Sequence, residues 1–333
     1  MKGFHLVQFT NDELRILREL RERFLAGTAG AADYWQSPDH LELYDSTYAE
    51  RIGWKWDAVL DELDLRGWHP RTTRVLDWGC GTGVAHRRVL AKWPRFTAAN
   101  LHDRSHHASM FAAQKTRREF PQVAVTLDRP AVTPETLLLV SHVINELPEA
   151  ELDHLLELAR GAGEVIWVEA GTHADSRRLI DVRERLRDTF TPIAPCTHSA
   201  RCGMLTVKNA PHWCHHFARP PSAIFQDARW ADFGKEIGID LRSVPYSFLV
   251  LARTPQMPPG YSRIIGEPRE AKGFARVLSC QVEGVADYIL QKRDVPELFR
   301  AVRKGTLEPV YRWTLADGKI VAAEPLASDA GML

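Results

Sequence analysis

The run RVLDWGCGTG, residues 74–83, constrains the fold more than any other stretch of the chain. A short apolar segment ends at once in alternating glycines, and VAHRRVLAKW then resumes at helical spacing. A strand that turns tightly into a helix is the first half of a strand–helix–strand unit. The pattern recurs downstream. FTAANLHD, VAVTLD and TLLLVSHV read as strands, PEAELDHLLELAR as a helix, EVIWVEAG as a fifth strand and DSRRLIDVRERLRDTF as a long helix. Such alternation predicts an α/β fold with a parallel, doubly wound, Rossmann-like sheet. SFLVLAR, residues 247–253, adds a late strand.

Two helical stretches precede this region. TNDELRILRELRERFL places Thr10 and Glu13 at capping-box spacing, with Leu14, Leu17 and Leu20 on one face. GTAGAAD then reads as a flexible break, and a Trp- and Leu-rich helix is expected from Thr47 to about Leu65. Beyond Pro258 the pattern is β-rich. The expected organisation is an N-terminal helical region (1–70), an α/β domain (71–255) with a cysteine-bearing insertion at 191–230, and a small C-terminal extension (256–333). Lys+Arg and Asp+Glu are both 43 in 333 residues, which argues against bulk nucleic-acid affinity and leaves room for a local basic face. No apolar run approaches a membrane span. The opening MKGFHLVQFTNDELR has neither an apolar signal core nor an acid-poor transit pattern. A bacterial cytoplasmic location is therefore expected, or a mitochondrial one if the source is eukaryotic. There thiols stay reduced, so the five cysteines are thiols or ligands.

The glycine turn matches neither a dinucleotide fingerprint, since His86 stands where the third glycine belongs, nor a phosphate-cradling P-loop. With Asp77, Gly79, Gly81 and Gly83 at the end of the first strand, it resembles motif I of class I S-adenosylmethionine (SAM)-dependent methyltransferases. In that fold the acid before the glycines contacts the amino-acid part of the cofactor. Asp103, closing AANLHD, stands where an acid holds the two ribose hydroxyls. The resemblance thus implies SAM as cofactor. Cys80, inside the turn, is read as a small packed residue. The loop after the fourth strand, SHVINELPE, offers His142, Asn145 and Glu146 as catalytic candidates, with helix capping or pocket lining as the alternative. It lacks the Asn/Asp-Pro-Pro-aromatic signature of amine-methylating enzymes, so methyl transfer does not follow from this sequence.

PCTHSARCGMLTVKNAPHWCHHF, residues 195–217, crowds Cys196, Cys202 and Cys214 into one irregular segment, and Cys280 follows far downstream. Four thiolates complete a tetrahedral Zn²⁺ site or a [4Fe–4S] cluster. The spacing matches neither zinc knuckles nor the C-x3-C-x2-C run, and His198, His212, His215 and His216 leave mixed Cys/His zinc open.

Motif I, SHVINELPE, VEAGT with its Arg-rich helix, PC-x5-C, WCHHF, SFLVL and RIIGEPREAKGFARVLSCQVEG follow one another in a fixed order over residues 40–305. In this the chain resembles the methyltransferase-like assembly-factor family of the small ribosomal subunit of mitochondria and bacteria. The resemblance implies a [4Fe–4S] cluster on Cys196, Cys202, Cys214 and Cys280, and a role with small-subunit rRNA in ribosome assembly and translation. No DNA or membrane partner is expected. Thr197 replaces the proline that commonly follows the first cysteine, and WCHHF carries an extra histidine. A local excess of four positive charges between Arg253 and Lys304 is consistent with an rRNA-facing surface. The competing reading is a methyltransferase of a small molecule or protein with a structural zinc.

Overall fold

The computed structural model describes residues 9–25, 35, 37–253 and 260–326. The break expected at GTAGAAD and the boundary expected at 255/256 lie outside them. The chain divides into two compact units, one of residues 1–58, 72–162 and 218–244, the other of 59–71, 163–217 and 245–333. Elements are numbered in chain order.

The first unit holds α1 (Asn11–Leu25), α2 (Pro38–Asp45), α3 (Tyr48–Leu65) as far as Ala58, β1 (Arg74–Trp78), α4 (Val84–Lys92), β2 (Ala98–His102), α5 (His106–Glu119), β3 (Ala124–Thr126), β4 (Thr136–Ser141), α6 (Glu149–Arg160) and α8 (Ala228–Ile237). The capping box forms: the Thr10 N–H donates to Glu13 Oε2 at 2.7 Å, and the Glu13 N–H to Thr10 Oγ1 at 3.2 Å. The strands run parallel in the order β3-β2-β1-β4. β4 is buried along nearly its whole length, which is why it reads as an unbroken apolar run. The order reverses at β1, whose neighbours are β2 and β4, so a crevice opens at their carboxyl ends, the usual ligand position in open α/β sheets. Leu17, Leu20, Tyr48 and Phe233 build a second core among α1, α3 and α8.

The second unit holds β5 (Glu164–Ala170), α7 (His173–Arg185), β6 (Thr191–Ala194), β7 (His216–Ala218) and β8 (Val244–Ala252). β8 lies between β5 and β6, antiparallel to both. The late strand is therefore real. A parallel 3-2-1-4 arrangement followed by such a reversed late strand is the α/β pattern of the class I methyltransferase fold. The β-rich extension comprises β9 (Ser262–Ile264), β10 (Arg269–Ala271), β11 (Phe274–Gln281), β12 (Gly284–Gln291), α9 (Pro296–Lys304), β13 (Val310–Ala316) and β14 (Lys319–Pro325). Its core is Ile264, Val277, Leu290, Phe299 and Ile320 with their neighbours.

Four helices, α2, α5, α8 and α9, were not expected from the sequence. α5 buries only Ala108, Ser109, Ala112, Ala113 and Thr116, so no large apolar residue marks its inner face. α7 ends at Arg185, five residues earlier than the apolar spacing suggests, and the chain turns at Leu186–Phe190 instead. Among the described residues no helix is long and apolar enough to cross a membrane.

Candidate functional site

In the first unit the glycine turn is bound back onto the end of β2. The Gly79 and Cys80 N–H groups both donate to the His102 carbonyl, at 2.8 and 2.9 Å. Asp103 accepts from the Gly81 N–H through Oδ2 and from the Ser105 N–H through Oδ1, each at 2.8 Å. Burial raises the Asp103 carboxyl above its ordinary value, and these two amides work against the rise. Each oxygen keeps lone pairs for further donors. Gly81, at φ 51, has nothing within 4 Å of where a Cβ would stand, so its backbone faces open space.

Asp77 is fully buried, and its Oδ1 has no hydrogen-bond partner. Its Oδ2 lies 2.6 Å from Nδ1 of His86, which is equally buried. The other ring nitrogen, Nε2, is 2.6 Å from Thr116 Oγ1, whose hydroxyl donates to the Ala112 carbonyl at 2.7 Å. The buried ring thus bridges Asp77 and Thr116 through its two nitrogens, the direction of each bond following its tautomer. A Cβ on Gly83 would stand 2.5 Å from Cε1 of the same ring, so His86 occupies the space this glycine leaves. In the sequence His86 registered only as a departure from a fingerprint. The signal that could have found it was a polar residue on the helix face that must be buried. Cys80 is buried, and desolvation holds its thiol well above the ordinary range, as expected of a packing residue.

The loop after β4 comes to the same end of the sheet. A Cβ on Gly79 would meet Val143 at 2.6 Å. His142 adopts φ 56, and its Nε2 lies 3.2 Å from the Lys55 ammonium. Burial, then Lys55 and Arg51, push the imidazole well below its usual value, so it is neutral and accepts from Lys55. That nitrogen is not open to take a proton from a substrate. Glu146 is raised by burial, with Arg104 opposing and Asp103 adding to the rise. Asn145 is exposed.

In the second unit Cys196, Cys202, Cys214 and Cys280 all line one cavity of about 520 Å³ including its open mouth. Arg183, Arg263, Ile180, Met204 and Ile265 share the wall. Among the described residues no three His, Cys, Asp or Glu side chains close on a single metal ion. Burial is the main cause that raises the thiols, Cys202 to about 11 and Cys214 and Cys280 well above the ordinary range. Their mutual repulsion adds to it. Groups raised in this way are neutral thiols, and they become thiolates only with a cation among them. His198 Nε2 is 3.5 Å from Cys280 Sγ, and His216 Nε2 is 3.8 Å from Cys214 Sγ. His215 turns away, its Nδ1 3.0 Å from the Trp213 carbonyl and its ring stacked on that indole.

Arginines hold this irregular segment. Arg183 donates to Cys196 Sγ at 3.2 Å and to the carbonyls of His198 and Ala200. Arg66, near the end of α3, donates to the carbonyls of Ile193, Pro195 and Cys196. Glu62 sits buried between Arg66 at 2.6 Å and Arg263 of β9 at 2.7 Å. Arg263, counted from the sequence toward a basic surface, is thus an internal ion-pair partner.

A family profile described as "Mitochondrial small ribosomal subunit Rsm22" matches residues 51–308. No relative was found among curated proteins. Solved structures with a similar fold include magnesium protoporphyrin IX methyltransferase from Synechocystis PCC 6803, at 14% identity and TM-score 0.36, covering 74% of this chain and 100% of that one. The plantazolicin methyltransferase BamL is 10% identical with TM-score 0.36, over 72% of this chain and 99% of that one. With the profile spanning most of its length, the chain belongs to the Rsm22 family.

Proposed function

We propose that this protein is a SAM-binding, methyltransferase-like factor of the small ribosomal subunit, and that Cys196, Cys202, Cys214 and Cys280 ligate a [4Fe–4S] cluster. The observation that carries the cluster is the convergence of four thiols, from segments up to 84 positions apart, on one cavity shared with two guanidinium groups. Arg183 and Arg263 offset the negative charge that a thiolate-ligated cluster brings into an apolar pocket. That no three His, Cys, Asp or Glu side chains close on one ion among the described residues favours a multi-iron group over a single tetrahedral ion, whose sulfurs must all lie about 2.3 Å from a common centre.

The SAM assignment is supported by the open space at Gly81, the unpartnered Oδ1 of Asp77 and the paired-acceptor geometry of Asp103. Bound there, SAM supplies an electrophilic methyl group. Asp77 Oδ1 would accept from the cofactor's ammonium, and Asp103 from its ribose hydroxyls. His142, Asn145 and Glu146 stay proposals for lining the target side, and the Lys55–His142 contact speaks for a positioning role. The family description supports the small-subunit partner, with rRNA as the surface recognised, in mitochondria or the bacterial cytoplasm.

The test is iron, sulfide and zinc content per chain after anaerobic purification, with co-sedimentation on small-subunit particles. About four irons with matching sulfide is the expected result. One zinc without sulfide would favour the second reading, a small-molecule or protein methyltransferase with a mixed Cys/His zinc, for which the His198–Cys280 and His216–Cys214 contacts speak.

A further inference from the structure

The β-rich extension closes on itself. β11 pairs with β9 and β12, β12 with β14, β14 with β13, and β13 with β9. Taken as strands one to five in chain order (β9, β11, β12, β13, β14), the ring runs 1-2-3-5-4. Every pair is antiparallel except three with five, which is parallel. α9 lies between strands three and four and puts Phe299 and Val302 into the barrel core. This is the topology of the OB fold, whose strand two–three face and adjoining loops take oligonucleotides or oligosaccharides.

Topology alone does not assign a ligand; the residues on that face do. Residues directly opposite in neighbouring strands share a face. Arg269, Arg276, Ile289 and Lys319 stand side by side across β10, β11, β12 and β14. The Arg269 and Arg276 side chains are 54% and 48% exposed, and both pair with Asp287. Phe274, half-buried, is on the same face two residues before Arg276. The other end of the face is closed: Leu278, Cys280 and Val285 pack with Ile180, Cys202 and Met204. What stays open is a short platform with three cations against one carboxylate, flanked by apolar side chains.

We propose that this open end of the barrel binds single-stranded RNA, with Arg269, Arg276 and Lys319 on the phosphates and Phe274 and Ile289 under the bases. Cations that track a backbone beside apolar side chains that accept any base are the chemistry of single-strand recognition. An oligosaccharide would not call for three cations. This inference rests on the small-subunit reading for its biological setting and on the barrel alone for its chemistry.

The experiment uses the full-length, metal-loaded protein and a fluorescein-labelled oligouridine of about 12 nucleotides, within the range an OB fold covers. Anisotropy is read from low to moderate salt. R269A/R276A/K319A, two exposed positions and one half-buried, should bind about tenfold or more weakly. Its plot of log affinity against log salt should be shallower by about 2, three phosphate contacts at roughly 0.7 each. D287N, which frees two guanidinium groups, should bind more tightly than the parent. Parent affinity and slope in a triple variant with unchanged circular dichroism overturn the assignment, as does preference for a maltooligosaccharide. Co-sedimentation with small-subunit particles, run alongside, separates the two readings. Particle binding without oligouridine binding removes the barrel proposal alone. Oligouridine binding without particle binding removes the small-subunit reading and leaves the barrel supported.

Discussion

The glycine turn and the cysteine cavity, the two ligand sites proposed above, are held in different ways. The turn is fastened by backbone amides to the neighbouring strand end, and its candidate contacts fall between residues 77 and 103. The cavity draws on residues from 176 to 280, and side chains hold its irregular backbone: Arg66 donates to the carbonyl of Pro195 and Arg183 to those of His198 and Ala200, all outside any helix or strand. A local site comes with its secondary structure. A non-local one needs buried charge to fix it, and buried charge fails badly when a partner is removed.

The largest break in that comparison is Cys280→Ser. The proposed cluster should be lost, with iron falling from about four per chain to near zero, while SAM affinity measured by calorimetry stays at the parent value. Retained iron would mean that Cys280 is no ligand. Next comes Glu62→Ala, which leaves two buried guanidinium groups facing each other. About 3–5 kcal/mol of stability should go, read as a lower urea midpoint, and a midpoint at the parent value would deny the triad its role. His86→Ala strips the Asp77 carboxylate of its hydrogen-bond partner among the described residues, at a cost of about 1–3 kcal/mol. SAM affinity should fall with it while iron content holds. A loss of iron here would show that the two sites are not independent.

The smallest effect is one of pH. Folding raises the Asp103 carboxyl, so its contribution to stability is present at low pH and is lost as pH rises through the folded value. Cofactor affinity has the opposite sign, because the ionised acceptor is needed. Affinity should begin to fall at a higher pH than the ordinary aspartate value of about 3.9, and Asp103→Asn should flatten the profile. A parent profile that is already flat would remove Asp103 from the cofactor contacts.

Much of the α/β fold was legible because its strands are apolar runs of the right length, and its first turn is marked by glycines. The helices that escaped notice had other reasons to form. α5 packs through alanines, and α2 starts on a Ser37 cap followed by Pro38 in only eight residues. The four cysteines could be listed from the sequence, but their spacing left cluster and zinc equally open. His86 and Arg183 were invisible as site residues because nothing near them in the chain announces their partners. The basic count between Arg253 and Lys304 misled at Arg263, since a sum of charges does not record which of them is buried against Glu62.

By itself the sequence determined what short-range physics controls: the strand–turn–helix alternation, the capping box at Thr10 and the placement of Asp77 and Asp103 at strand ends. Periodicity and capping act within a few residues, so they can be read within a few residues. The tertiary structure alone decided which thiols share a cavity, that His86 meets Asp77 in the core, and that five short strands after residue 261 close into a barrel with one charged face. Those outcomes depend on contacts between residues far apart in the chain, where burial sets the cost of every unpaired polar group.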